Sequence, residues 1–296
     1  MNRLISHRTD SYMAALASSS SGNAVLSVSG KTRLLVDAGL SLRRLTAAFS
    51  TCALSPGDLT AILITHEHSD HISGLSTLAT RFDLPVYASQ GTARALAGKC
   101  PALADNLRVF EAGKSFDIDG VGVETFSTPH DNLDSVCYLL HLSGLRTAVV
   151  TDLGHVSADL AAQLTRADAV LLESNYDENM LRSGRYADFL KERIAGQRGH
   201  LSNKDAGEAA VLLVKNGVRH IMLGHLSRDN NTPELALSAT LGAMKSAGIR
   251  VGQDVDLSVA PPLGICRIPD FCGDMYPLAA PETTGQTILS LAGETI

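Results

Sequence analysis

The sequence predicts a layered α/β fold, in which strands and helices alternate along one large domain or two small ones. Three observations carry this expectation. Short apolar runs of strand length recur between stretches with helical periodicity. Ser, Asn, Asp and Gly gather between them as turns. The apolar share, 45% of 296 residues, is enough for a sizeable core, built from Leu, Val, Ile and Ala because aromatics make up only 4% and tryptophan is absent.

The elements follow in order. Residues 12–17 and 24–28 alternate as strands do. Ser18-Ser19-Ser20-Ser21-Gly22-Asn23 between them is too short for a linker and reads as a tight turn with exposed hydroxyls. Residues 33–36 form a strand ending at Asp37-Ala38-Gly39, 41–50 a helix, and Ser55-Pro56-Gly57-Asp58 breaks the chain. An apolar strand at 61–64 precedes a helix at 74–82, a short strand at 84–88 and a helix at 91–98. Strands at 115–118 and 121–127 come next, then a hairpin of 136–142 and 146–150 around Ser143-Gly144. A helix at 157–166 leads to the strand 169–172. Residues 176–200 are polar and irregular, with one helix near 187–195. Ser202 caps a helix at 203–215, with Asp205 in its first turn. After a strand at 220–223, Thr232 caps a helix at 233–247 with Pro233 in first position. A last strand spans 255–259. The domain is expected to end at 266, and 267–296 to be a loosely attached tail.

One stretch concentrates chemistry. Directly after the 61–64 strand comes Thr65-His66-Glu67-His68-Ser69-Asp70-His71-Ile72-Ser73-Gly74. His66, His68, Asp70 and His71 are four possible metal ligands within six residues. Imidazole and carboxylate at this density suit zinc, manganese or iron better than calcium or magnesium, which prefer shells of oxygen. The same theme recurs: an apolar strand, then an acid or histidine just beyond it, at His66/His68, His130, Asp152, Glu173 and His225. In layered α/β folds strand ends gather on one rim, where loops build sites.

Composition narrows the setting. The formal net charge of −6 excludes a surface that is basic all over, so a nucleic-acid ligand needs a local basic patch. Such a patch leads into His200: Arg182, Arg185, Lys191, Arg193, Arg198 and Lys204 outnumber Asp188 and Glu192. Arg198 is a candidate substrate contact. Asn203, Asn230 and Asn231 are either phosphate contacts or helix caps. Five scattered cysteines with no CxxC pair, and a first segment without a signal-like apolar run, lead to the expectation of free thiols, a cytoplasmic location and no membrane partner.

The run His66-x-His68-x-Asp70-His71 resembles the signature of the metallo-β-lactamase superfamily. That resemblance implies an αββα four-layer sandwich with the active site at the strand-end rim. It further implies His66, His68 and His130 as ligands of a first metal, Asp70, His71 and His225 as ligands of a second, and Asp152 as the bridge between them. Asp37 falls where that superfamily orients a metal-bound histidine from behind. Two such metals hold a water between them and make it hydroxide at neutral pH. Glu173 and His200 match the pair with which the RNA-processing nucleases of the superfamily protonate a leaving oxygen, so Asp70, Glu173 and His200 are the expected catalytic residues.

A narrower resemblance covers residues 12–247. Ser19-Ser20-Ser21-Gly22-Asn23, the 65–74 motif, Glu173-Ser174-Asn175-Tyr176-Asp177, Arg198-Gly199-His200-Leu201-Ser202-Asn203 and His225-Leu226-Ser227-Arg228-Asp229-Asn230-Asn231-Thr232-Pro233 are together similar to the YycJ/WalJ (VicX) family of bacterial metallo-hydrolases. That family is regarded as cytoplasmic and DNA-directed, with 5′-to-3′ exonuclease activity. The resemblance therefore implies a two-metal phosphodiesterase acting on DNA. The competing readings are a thioester or lactone hydrolase on the same scaffold, an RNA nuclease, and a binding protein with an inert site.

Overall fold

A computed structural model describes residues 11–268. Its first half runs β1 (Ser11–Ala17), β2 (Ala24–Ser29), β3 (Thr32–Val36), α1 (Leu42–Thr51), β4 (Ala61–Leu63), α2 (Ser69–Ile72), α3 (Leu75–Phe82), β5 (Val86–Ser89), α4 (Gln90–Lys99) and β6 (Leu107–Phe110). Then come β7 (Ser115–Ile118), β8 (Val121–Ser127), β9 (Val136–Leu142), β10 (Leu145–Val150), α5 (Ala158–Leu164), β11 (Ala169–Glu173), α6 (Glu178–Ser183), α7 (Asp188–Ile194), α8 (Asn203–Lys215), β12 (His220–Gly224), α9 (Pro233–Ser246) and β13 (Asp256–Val259). A final strand, β14 (Cys266–Ile268), returns to pair with β1.

The strands form two seven-stranded sheets, ordered β14-β1-β2-β3-β4-β5-β6 and β13-β12-β11-β10-β9-β8-β7. Each sheet begins as an antiparallel meander and continues as a parallel array, β3 to β6 in one and β10 to β13 in the other. Parallel neighbours cannot be joined by a tight turn, and helices make the crossovers: α1, α3 and α4 in the first sheet, α5, α8 and α9 in the second.

Strand alternation then fixes the layers. In β11, Ala169 and Leu171 enter the core between the sheets, while Val170 and Leu172 face the opposite way into a core shared with Leu160, Leu213 and Met244. In β4, Ala61 and Leu63 face the inter-sheet core and Ile62 packs with Leu45, Phe49, Leu75 and Leu96 of the first helical layer. Strands apolar on both faces need cover on both faces. The result is the αββα sandwich expected of the sequence.

Several elements depart from the sequence reading. β6 is an exposed edge strand, with Val109 59% exposed, and it lacks the apolar run that marks the central strands. α2 is a single turn inside the histidine motif, and α6 adds a second helix to the segment read as irregular. β14 carries the sheet to Ile268, beyond the expected boundary at 266; the rest of the expected tail lies outside the described residues. Cys52, Cys100 and Cys137 are free thiols, but Cys266 is disulfide-bonded, which departs from the expectation for the cysteines.

The sheets are fastened together where β4 ends. Val136 N donates to Thr65 O at 3.1 Å, and the fully buried Tyr138 donates its hydroxyl to Ile64 O at 2.6 Å. Both bonds link β9 of one sheet to the segment just past β4 of the other. Tyr138→Phe leaves the Ile64 carbonyl without this partner, so the unfolding free energy from urea titration should fall by about 1–3 kcal/mol. An unchanged denaturation midpoint would show that the inter-sheet bond adds nothing.

Candidate metal centre

The 65–74 stretch owes its shape to close backbone packing. Asn23 N donates to Asp70 O at 2.8 Å, Ala38 N to His71 O at 2.8 Å and Gly74 N to Ala38 O at 2.9 Å. Two glycines allow this approach: a Cβ on Gly39 would lie 1.6 Å from Asp70 O, and one on Gly74 would lie 1.9 Å from Leu40 O. Thr65 donates its backbone N–H and its hydroxyl to the Asp37 carboxylate, each at 2.9 Å. The histidine turn is thereby clamped to the end of β3.

The strands of both sheets deliver side chains to this turn. Asp37, Asp152 and His225 each follow the end of a strand and each adopts a left-handed backbone, with φ of 62°, 60° and 54°. Left-handed geometry is uncommon outside glycine, although Asp and His tolerate it better than most residues. It turns the chain sharply at the rim. Asp152, 2% exposed, sits in the middle. Its Oδ2 is 3.1 Å from His71 Nε2, and its Oδ1 lies 3.9 Å from His66 Nε2, 3.7 Å from His130 Nε2 and 3.6 Å from His225 Nε2. Asp70 Oδ2 stands 3.3 Å from both His71 Nε2 and His225 Nε2. His68 Nδ1 is 3.3 Å from His130 Nε2.

Ligand-type atoms therefore converge within 4.8 Å of one another in several sets: His66, His68 and His130; Asp70, His71 and His225; His66, His71 and Asp152; and Asp152, Glu173, His200 and His225. Buried His66 Nε2 and Asp152 Oδ2 make no hydrogen bond of acceptable geometry among the described residues. Orphaned polar atoms inside a cluster of converging imidazoles and carboxylates fit divalent cations, for which imidazole nitrogens and carboxylate oxygens are the ordinary ligands.

Groups behind the cluster fix its ring orientations. His71 Nδ1 donates to Asp37 Oδ2 at 2.7 Å and His130 Nδ1 to Gly199 O at 3.1 Å, which leaves Nε2 of each ring toward the centre. Glu173, fully buried, accepts at Oε1 from His225 Nδ1 (2.7 Å) and from His200 Nδ1 (2.8 Å), and at Oε2 from the backbone N–H of Leu153 at 3.0 Å. The sequence reading paired Glu173 with His200 alone; its second partner, His225, depends on how β11 and β12 lie side by side.

Two asparagines escaped the sequence reading. Asn23 Nδ2 is 3.2 Å from His71 Nε2 and 3.4 Å from Asp70 Oδ2, and Asn175 Nδ2 donates to His225 O at 2.8 Å. Their signal was present in the Ser-rich turn and in Glu173-Ser174-Asn175, but an asparagine in a turn has no distinctive spacing. Conversely, Asn203, Asn230 and Asn231 are buried. Asn203 and Asn231 exchange side-chain hydrogen bonds at 2.8 Å, and Asn231 Nδ2 also donates to Ser174 O. Asn230 turns its amide toward Ser227 Oγ at 3.4 Å. The three fasten the loops after β11 and β12 and face no solvent. Arg198 donates to the carbonyls of His130 (2.8 Å) and Asn132 (3.0 Å), holding the His130 loop.

Electrostatics follow from this crowding. Burial opposes a charged His225, but the Asp152, Asp70 and Glu173 carboxylates outweigh it and raise its pKa to about 10. Burial likewise opposes a charged His71, yet Asp152, Asp37 and Asp70 raise its pKa well above the ordinary imidazole value. His66 has the opposite fate: burial and the neighbouring His71 keep it well below that value. Burial raises the pKa of Glu173, but His200 and His225 pull it down to about 2.

The centre opens through two clefts that meet at Tyr186, Ile194 and His200. One, of 490 Å³, extends past Asn175 to Ser20, Ser21 and Arg228; the other, of 260 Å³, extends past Gly199 to His68 and Arg193.

Residues 32–226 match the beta-lactamase superfamily domain. Exodeoxyribonuclease YycJ of Bacillus anthracis is 38% identical over 249 residues, 83% of this chain and 94% of the relative. Exodeoxyribonuclease WalJ of Streptococcus pneumoniae is 40% identical over 242 residues, 81% of this chain and 90% of the relative. Among solved structures, Zn²⁺-bound PqqB of Methylobacterium extorquens superposes with a TM-score of 0.64 at 18% identity, covering 86% of this chain and 99% of that one. The metallo-β-lactamase fold protein YhfI of Bacillus subtilis gives 0.63 at 16% identity, covering 87% and 100%.

A cation must displace the protons that the raised pKa values of His71 and His225 hold at neutral pH. Metal affinity should therefore fall as pH falls, and calorimetry at pH 7 in buffers of different ionisation enthalpy should show net proton release. Zero release would contradict the charged state assigned to these rings. Asp37→Asn removes the carboxylate behind His71 and should weaken metal binding by about 10–100-fold in a chelator competition.

Proposed function

The chain belongs to the metallo-β-lactamase superfamily, within the group that holds YycJ and WalJ, and we propose on that premise that it is a two-metal phosphodiesterase, a 5′-to-3′ exonuclease acting on DNA in the cytoplasm. We assign His66, His68 and His130 to one cation, Asp70, His71 and His225 to the other, and Asp152 to the bridge. Zinc, manganese and iron all suit this mixture of nitrogen and oxygen donors. When bound, such cations supply an ionised water as nucleophile and positive charge beside the phosphoryl oxygens.

The observation that carries the reading is the Glu173–His200 pair. A hydrolase that only attacks an activated thioester has no need of a proton donor for a poor leaving group, whereas expulsion of a nucleotide 3′-oxygen does. His200 is part-exposed where the two clefts meet, and its Nδ1 is held by a buried carboxylate at 2.8 Å. Nε2 is then the ring atom that carries the transferable proton. As the phosphorus–oxygen bond breaks, that proton passes to the departing 3′-oxygen, and Glu173 steadies the remaining ring. Burial would lower the pKa of His200, but the Glu173 carboxylate outweighs it and raises the value above the ordinary 6.5. The substrate class comes from the relatives, both named exodeoxyribonucleases. No helix among the described residues is long and apolar enough to cross a membrane.

His200→Ala should lower kcat on end-labelled duplex DNA by about 10²–10⁴-fold while metal content stays at the wild-type level. Full activity in the metal-loaded variant would remove the acid from the mechanism, and turnover of a thioester but not of DNA would sink the nuclease reading. The pH profile has a definite sign. An acid with a raised pKa stays protonated past pH 6.5, so kcat should hold to that point and decline only as pH climbs through the raised value. Under saturating metal, Glu173→Gln should move this basic limb to lower pH.

A further inference from the structure

The larger cleft contains a cation that the proposed mechanism does not use. The Ser-rich turn after β1 is joined to the loop after β12 through a bridge between Ser19 and Leu226, and Ser20 N donates to Leu226 O at 3.2 Å. This junction brings Ser20, Ser21, Ser227 and Arg228 into the lining of the 490 Å³ cleft, which His200 also lines. The volume lies within the range of sites for small ligands, about 300–1,000 Å³.

Most other basic groups near the centre already have partners. Arg193 pairs with Asp131, Arg198 holds two carbonyls, and Lys191 donates to the carbonyl of Arg182 at 3.0 Å. The guanidinium of Arg228 meets only the Ser21 hydroxyl, at 3.5 Å, and no carboxylate of the described residues pairs with it. Asp229 lines the same cleft, but its carboxylate accepts from Tyr186 at 2.7 Å and lies 3.8 Å from Arg185. The three hydroxyls are arranged alike. Ser20 Oγ accepts from Arg228 N, Ser21 Oγ from Arg228 Nη1, and Ser227 Oγ from Asn230 N. Each hydroxyl therefore accepts from the protein and keeps its own proton to donate. An unpaired guanidinium beside three such donors is complementary to a tetrahedral dianion.

We propose that Arg228, Ser20, Ser21 and Ser227 form a subsite for the 5′-terminal phosphate of the strand being degraded. This rests on the nuclease reading, and it explains how that activity would be confined to chain ends. In that reaction His200 protonates the 3′-oxygen of the departing nucleotide, so this nucleotide lies on the His200 side of the scissile bond. Its own 5′-phosphate then points away from the centre, along the cleft toward Arg228. The smaller cleft offers no equivalent, because its Arg193 is neutralised by Asp131.

The test compares 3′-labelled single strands bearing a 5′-phosphate, a 5′-hydroxyl or a 3′-phosphate, with bis(p-nitrophenyl) phosphate as a substrate that has no ends. Wild-type kcat/KM should favour the 5′-phosphate over the 5′-hydroxyl by about 10-fold or more, the size of a charge-assisted hydrogen-bond contribution. Arg228→Gln should bring that ratio close to one, and Ser21→Ala should shrink it in the same direction. Hydrolysis of bis(p-nitrophenyl) phosphate with no preference among the ends overturns the subsite and leaves the phosphodiesterase standing. A preference for the 3′-phosphate, or an unchanged ratio in Arg228→Gln, overturns it equally. No hydrolysis of any of the four by metal-loaded wild type defeats the function itself.

Discussion

The carboxylate of Asp152 has five imidazoles around it, those of His66, His71, His130, His200 and His225, all within 3.9 Å and nearly all out of contact with water. Everything else in the structure answers to that arrangement. Burying so many polar groups together is unfavourable unless each is bonded or neutralised. The protein meets part of the requirement with the groups behind the rings: Asp37, the Gly199 carbonyl, Glu173 and Thr65. What these leave unmet, at His66 Nε2 and Asp152 Oδ2, is the place where cations fit.

The two sheets contribute differently. The first supplies a contiguous turn, residues 66–71, clamped by Asp37 and by backbone contact through Gly39 and Gly74. The second supplies single residues from separate loops: His130 after β8, Asp152 after β10, Glu173 at the end of β11 and His225 after β12. Neither sheet holds a complete set, and the tie from β9 to the end of β4 brings the sets into register. Metal affinity is therefore a property of sheet docking, and the same contacts serve stability and chemistry.

The rim was legible in the sequence because its signal is local: a short strand rich in apolar residues, then a ligand-type side chain. That pattern led to His130, Asp152 and His225 as readily as to the dense 65–74 motif. Helix caps were equally local, and Ser202 and Thr232 accept from Asp205 N and Leu235 N as their sequences suggest. What the sequence hid depends on neighbours distant along the chain. An asparagine looks alike whether it faces phosphate or clasps another loop, and the burial of Asn203 and Asn231 follows from the pairing of β11 with β12. The edge strands β6 and β14 are only four and three residues long, β6 is largely exposed and β14 carries Arg267 between its two buried residues, so neither shows the hydrophobic run that betrays a central strand.

Glu173 illustrates how tightly the roles are interwoven. One oxygen atom serves both a ring that we assign to a cation and the ring that we assign to proton delivery. Loss of this side chain therefore removes two capacities in a single step. A change confined to His200 leaves the Glu173–His225 bond standing, whereas a change at Glu173 releases both rings.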